Sequence, residues 1–195
     1  DPVRVITNHS SGKMGFAIAE AARDRGATVV LVTAPTNLET LIGVTMNHVT
    51  TVEEMRTAVL ESCSHADALV MAAAVSDYRT NQVADQKIKK HESEDLVSLQ
   101  MVKTPDFFSE IPSGVLRVGF AAETENLIEN AKSKIDSKNL SLIAANDVTK
   151  EGSGFGTDTN QATLIDKSGR TEELPLLSKY EVGHRLLDRI VGLLR

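Results

Sequence analysis

The chain has 195 residues, 41% of them hydrophobic and 25% charged, with a formal net charge of −6. That length fits one domain of the usual ~100–200 residues, with a core large enough to need neither disulfide nor metal. The acidic balance argues against a duplex nucleic acid partner, the single Cys63 excludes an internal disulfide and a cysteine-based zinc cage, and no apolar run approaches the ~20 residues of a membrane span.

At the start of the chain, Ile6-Thr7 leads through Asn8-His9-Ser10-Ser11-Gly12-Lys13-Met14-Gly15 into the alanine-rich stretch Phe16 to Ala22. Ser10, Ser11, Gly12 and Gly15 carry little bulk, so the backbone there can come close to a ligand. The first turn of a helix has unpaired N–H groups and a positive dipole end, which suit an anion such as phosphate. An ordinary helix start capped by Ser11 fits the same residues. Lys13 to Arg25 reads as a helix closed by Gly26. Thr28 to Val32 (TVVLV) reads as a buried parallel strand. Thr51 and Glu54 have capping-box spacing for a helix running to about Cys63, and Ala68 to Ala74 reads as the next strand.

The middle of the chain breaks this alternation. Lys87 to Lys90 and Asp95 to Lys103 look extended, on either side of the polar His91-Glu92-Ser93-Glu94, and are expected to form a hairpin arm at about residues 85–103. In an extended segment Lys87 and Lys89 share one face, where an anion would relieve their repulsion; an edge strand guarded by lysine is the plainer reading. Beyond the arm, Arg117 to Ala121 reads as a strand, Leu127 to Lys138 as a helix and Leu140 to Ala145 as a strand. Gln161 to Asp166 reads as a strand and Ser168-Gly169 as a turn. Ser178 and Glu181 cap a last helix on which Val182, Leu186, Ile190 and Leu194 share a face. The expected fold is α/β: a single domain over 1–195, with a three-layer Rossmann-like parallel sheet and an inserted extended arm.

In such a sheet, ligands sit beyond the carboxyl ends of the strands. Ala72-Ala73-Ala74-Val75-Ser76-Asp77 follows one predicted strand: three alanines let a planar or ribose group lie on the backbone, and Asp77 offers a carboxylate to a hydroxyl or a hydrated magnesium. Close helix–sheet packing with Asp77 in a turn fits equally. Phe120, in Gly119-Phe120-Ala121-Ala122-Glu123-Thr124, is suited to stack on a base or to fill the core. Lys134 and Lys138 stand one helical turn apart, a like-charge pair that an anion or plain solvent would relieve. The five histidines show no metal-ligand spacing, and no serine sits in a nucleophile elbow. A nicotinamide dehydrogenase is excluded: Gly12 and Gly15 make no G-x-G-x-x-G pattern, the second strand ends Val32-Thr33-Ala34-Pro35 without an acid for the ribose, and neither Tyr78 nor Tyr180 has a lysine four residues on.

Six motifs occur in order: Asp1-Pro2-Val3-Arg4, Asn8 to Gly15, Ala73 to Arg79, Lys87-Ile88-Lys89-Lys90, Gly119 to Thr124 and Ala145-Asn146-Asp147. Together they closely resemble the bacterial phosphopantothenoylcysteine synthetases, usually the C-terminal half of a bifunctional coenzyme A biosynthesis protein. The resemblance implies a CTP- and Mg2+-dependent ligase that joins 4′-phosphopantothenate to L-cysteine through a phosphopantothenoyl-CMP intermediate. It implies a nucleotide site of Met71, Ala72, Ala73, Asp77 (also the metal residue), Lys87, Pro105, Asp106, Phe107, Phe108, Phe120, Lys134 and Lys138. Asn8, Ser11, Gly12, Gly15 and Ala74 would hold substrate and intermediate, Arg4 would help bind the substrate phosphate, and Lys87, Asn8 and Arg4 would carry catalysis. It also implies a cytoplasmic homodimer with no nucleic acid or membrane partner, a fused decarboxylase domain that alone binds FMN, and a first strand of the family ahead of residue 1. The competing expectation is a non-catalytic nucleotide-binding or assembly module of the same fold.

Overall fold

The computed structural model describes residues 1–89, 98–123, 125–147, 149–150, 152–154 and 156–195. They form two compact units, one of Ser10–Ala73 and Phe107–Arg195, the other of Asp1–His9 and Ala74–Asp106.

The larger unit opens with α1 (Lys13–Asp24), whose end is turned by Gly26 at φ +85°, a conformation that favours glycine. β1 (Val30–Thr33) follows and pairs in parallel with β2 (Thr45–His48) as a two-stranded ladder. Two expectations change here. β1 begins two residues later than TVVLV suggested and leaves Val30 exposed, and β2, Thr-Met-Asn-His, carries no apolar run by which sequence would find it. Next comes α2 (Val52–Cys63), where Thr51 accepts from the Glu54 N–H and Glu54 accepts from the Thr51 N–H, the capping box read from sequence.

β3 (Ala68–Met71) is the edge of a five-stranded sheet; two more strands of the larger unit, β6 (Leu116–Glu123) and β7 (Leu142–Asp147), continue it in parallel, β3 to β6 to β7. β9 (Ala162–Asp166) then runs antiparallel to β7, and β10 (Thr171–Glu173) antiparallel to β9, so the sheet is mixed. The β9–β10 turn is the one expected at Ser168-Gly169, with Gly169 at φ +88°. A small ladder, β8 (Thr159–Asn160) with β11 (Leu177–Ser178), leads into α4 (Lys179–Leu194), whose Ser178–Glu181 capping box is also as read.

Alternation along the strands splits the core into two faces. Val118, Leu142, Ala144 and Leu164 pack with Ile18 of α1 and with Val182, Leu186 and Ile190 of α4. Leu194, expected on that helix face, is half exposed at the helix end. The remaining helix, α3 (Leu127–Lys138), packs on β7, and its buried Ala131 and Ile135 lie outside that cluster, on the other side of the sheet. The result is three layers: helix, sheet, helix. Gly183 lets α4 come close to α1; a Cβ there would stand 3.2 Å from the Ala21 side chain and 3.3 Å from the Ala17 carbonyl oxygen.

Among its described residues the smaller unit holds one ladder, β4 (Tyr78–Thr80) antiparallel to β5 (Met101–Lys103). This corrects the expected hairpin. The end of the Asp95–Lys103 segment is a strand, but its partner is Tyr78–Thr80, and Lys87 to Lys89 is not in a strand. The rest of that expected pairing, residues 90–97, lies outside the described residues.

Candidate functional site

Three parallel strands of the larger unit end on the same side: β3 at Met71, β6 at Glu123 and β7 at Asp147. Met71 is buried at its strand end, with Ala72 and Ala73 next in the chain. Phe107 and Phe108 stack with ring centroids 6.3 Å apart, and Phe108 begins the short 3-10 turn Phe108–Glu110. The Lys138 ammonium lies 5.2 Å from the centre of the Phe108 ring, a cation–π distance. Lys134 stands one turn before it on α3, so the like-charged pair read from sequence faces an aromatic wall at one end. Phe120 does not join these groups. It packs against the core cluster shared by α1 and α4, as Met14 and Ala72 also do.

Gly12 caps α1 at φ +75°, and Ser11, the cap in the alternative reading, gives only a 3.4 Å contact from the Lys13 N–H to its Oγ. The helix start is therefore a glycine turn with little side-chain cover. Thr36, beyond β1, donates to the Ser11 carbonyl at 3.1 Å and steadies this turn. Gly15 has open space where a Cβ would stand.

Two lysines that sequence reasoning passed over bind the glycine-rich loop beyond β7. Lys13 Nζ donates to the Gly156 carbonyl at 2.8 Å and to Asp158 at 2.7 Å. Lys179, a buried residue, donates to the carbonyls of Gly154 and Thr157. Burial, then the Lys13 charge, pull the Lys179 ammonium below its usual pKa, while the Lys13 hydrogen bond lowers that of Asp158. The available signal was electrostatic: each lysine is the first residue of a helix, where the dipole disfavours a cation, so a local partner was to be expected.

In the smaller unit, Asn8 Nδ2 donates to the Ala74 carbonyl at 3.1 Å, joining two residues that the motif carry-over had grouped. The Thr104 N–H donates to the Asp77 carbonyl at 2.8 Å, extending the β4–β5 ladder and fixing Asp77 near Pro105 and Asp106 in the chain. The Thr104 hydroxyl is buried without a partner among the described residues. Arg4 pairs with Asp1, and its Nη2 donates to the Ile88 carbonyl at 2.9 Å. Arg4 thus stands at the main chain of Ile88, the residue after the exposed Lys87, although the chain separates them widely. Sequence reading missed Asp1; an aspartate before Pro-x-Arg, able to accept from N–H groups two and three residues on, was the usable sign. Among the described residues no three His, Cys, Asp or Glu side chains group as a metal cage. Asp77 alone suits a magnesium that keeps its waters and is shared with phosphates, the usual habit of that ion. No helix of the described residues is long and apolar enough to cross a membrane.

Residues 1–194 match the DNA/pantothenate metabolism flavoprotein C-terminal domain family. The chain belongs to this family. It is 46% identical over 194 residues to the coenzyme A biosynthesis bifunctional protein CoaBC of Vibrio cholerae, covering 97% of this chain and 48% of that protein. The CoaBC of Escherichia coli strain K12 is likewise 46% identical over 196 residues, covering 98% and 48%. The chain spans about half the length of these relatives. Its structure is similar to the crystal structure of the C-terminal domain of a CoaBC, with a TM-score of 0.83 and 38% identity, covering 100% of this chain and 88% of that one.

Proposed function

We propose that this family member is a phosphopantothenate–cysteine ligase that uses CTP. The observation that carries the reading is the likeness along the whole chain to the C-terminal domain of the bifunctional coenzyme A biosynthesis proteins. In the first step a carboxylate oxygen of 4′-phosphopantothenate attacks the α-phosphate of CTP, and the bond to pyrophosphate breaks. In the second, the cysteine amine attacks the acyl carbon, CMP leaves, and an amide forms.

Both steps need charge neutralisation and alignment more than a protein nucleophile. Lys134 and Lys138, the latter against Phe108, supply positive charge for the triphosphate on one side of the sheet. Lys87 offers an exposed ammonium to phosphate oxygens, and Arg4 a guanidinium to the substrate phosphate. The bare glycine turn at α1, with Ser11, Gly12 and Gly15, offers backbone N–H groups to an anion. Asn8, held to the Ala74 carbonyl, has an amide oxygen left to accept from the acyl intermediate. Met71, Ala72, Ala73, Pro105, Asp106, Phe107 and Phe120 complete the proposed nucleotide contacts. Mg2+ would be held by Asp77 and would offset phosphate charge.

The proposal extends to a cytoplasmic homodimer of one ligase domain, fused in the whole protein to a decarboxylase domain that binds FMN. It also places the family's first strand ahead of residue 1. The edge position of β3 and the separate β1–β2 ladder favour that last point.

The test is pyrophosphate release from CTP in the presence of 4′-phosphopantothenate, followed by amide formation on adding cysteine. Release that requires phosphopantothenate and is faster with CTP than with ATP is expected. Equal or faster turnover with ATP removes the CTP assignment, and no release with any nucleotide removes the ligase.

A further inference from the structure

The Asp1 side chain is only 1% exposed, and it gathers donors from two stretches of chain 87 residues apart. Its Oδ1 accepts from the N–H groups of Val3 and Arg4, each at 3.0 Å. Its Oδ2 accepts from Arg4 Nε at 3.0 Å, from Arg4 Nη2 and from the Ile88 N–H at 3.3 Å. Arg4 Nη2 also donates to the Ile88 carbonyl. The Asp1–Arg4 pair therefore holds both main-chain polar groups of Ile88, the residue next to Lys87.

An exposed arginine–carboxylate pair usually contributes little, because water competes for both partners. This one differs in two respects. The carboxylate is out of water, and its roughly four lone-pair sites are filled by five donors, only two of which come from the guanidinium. Arg4 itself remains largely exposed, and among the described residues no bond engages its Nη1. One edge of the guanidinium is thus locked while the other is presented outward. The lock also fixes the main chain that carries the Lys87 ammonium.

We propose that Asp1 is a positioning residue: its carboxylate fixes Arg4 and the Lys87–Ile88 main chain as one body, so that a guanidinium and an ammonium meet the same phosphorylated substrate together. Asp1 touches no reacting atom in this scheme. It offsets one of the two like charges and sets the spacing of the pair before substrate arrives, so no reorganisation is needed during reaction. This inference rests on the ligase reading, and the experiment separates the two.

Asp1→Asn, Lys87→Gln and the double variant are compared in the whole protein that carries this domain, with Asp1→Ala as a second replacement. Asparagine keeps an acceptor for the Val3 and Arg4 N–H groups but loses the charge and the second acceptor oxygen. The expected result is a loss of up to about 100-fold in kcat/KM for 4′-phosphopantothenate, with KM raised and kcat lowered together. Because Asp1 acts through both Arg4 and Lys87, Asp1→Asn should cost several-fold less in the Lys87→Gln background than in the parent. Fully multiplicative losses overturn the proposal. Hydrogen exchange supplies a readout that needs no turnover. The Ile88 amide should exchange about tenfold faster in Asp1→Asn and Asp1→Ala, while the Leu164 amide of β9 is unchanged. An unaltered Ile88 rate overturns the proposal whether or not the chain is active. Inactivity of the whole protein that carries this domain, together with accelerated Ile88 exchange, removes the ligase reading and leaves the Asp1 lock standing.

Discussion

The two units are held together by different physics. In the larger one, Leu142, Ile143, Ala144, Leu164 and Ile165 are almost wholly hidden from water, and helices cover both faces of the sheet they build. In the smaller one the only ladder among the described residues is three residues long, and Val3, Val5, Ile6, Val83 and Leu99 are each more than half exposed. Order there comes from polar ties: Asp1 and Arg4 on Ile88, Asn8 on Ala74, Thr104 on Asp77, and the Asn81 N–H on the Gln100 carbonyl. Most of the charged candidates for chemistry, Arg4, Asp77, Lys87 and Asp106, belong to this second unit. A buried frame with functional groups on a sparsely packed segment is a common division, since residues that must meet a ligand cannot also be sealed in a core.

The contrast is open to test by core truncation, the largest effect expected. Leu164→Ala, at a site with no exposure, should cost about 2–5 kcal/mol. Leu99→Ala in the smaller unit should stay within about 0.5 kcal/mol. Urea unfolding measures both; a similar cost at the two sites would erase the distinction. Lys87→Gln turns the comparison toward activity. Turnover should fall roughly 10²–10³-fold, the usual loss for one preorganised charge-stabilising donor, with the urea midpoint unchanged because the residue is outside the buried frame. Near-normal turnover would leave Lys87 as a solvated surface lysine.

Acid should act first on the larger unit. Burial works to raise the Asp166 carboxyl, but hydrogen bonds from Ser168, the Arg170 N–H and Arg189, with the Arg189 charge, outweigh it and hold the carboxyl below its ordinary range. The Arg185 hydrogen bond lowers Glu172 in the same corner, with Arg189 assisting. A carboxyl with a lowered folded-state pKa contributes stability that is fully present above its unfolded value, near 4, and lost as pH falls through the folded value. Melting temperature should therefore drop steeply below about pH 4, and Asp166→Asn should flatten that drop. An identical pH profile in the variant would remove Asp166 from the account. A modest effect is expected at a helix start: Thr51→Ala removes the α2 cap and should cost about 1 kcal/mol by chemical denaturation.

Much of the larger unit was legible because its signals are local. The Thr51–Glu54 and Ser178–Glu181 boxes, Gly26 after α1 and the apolar run at Leu140 to Ala145 each sit within a few residues of what they specify. β2 escaped because its four residues carry no apolar pattern; it is a strand through its pairing with β1. The middle segment was misread for a related reason. The lysine-rich run at Lys87 looked extended, yet β5 found its partner in Tyr78–Thr80, a choice set by main-chain hydrogen bonds rather than side-chain alternation. The arrangement of the candidate residues was not legible. Lys138 against Phe108 and Arg4 against the Ile88 main chain are brought together across spans on which no periodicity acts.

The sequence alone determined the helix boundaries, the runs that become buried strands, the glycine turn ahead of α1 and the family to which the motifs belong. The elements follow from propensity and capping read over a few neighbours, and the family from the resemblance carried by the six ordered motifs. The tertiary structure alone decided that the last two strands of the sheet run antiparallel, that Phe120 faces the α1–α4 core, that Lys13 and Lys179 hold one loop, and that Asp1 joins Arg4 to Ile88. Those outcomes depend on which distant groups satisfy each other's hydrogen bonds and charges once the core has formed, and a buried donor or acceptor takes its partner wherever the fold supplies one.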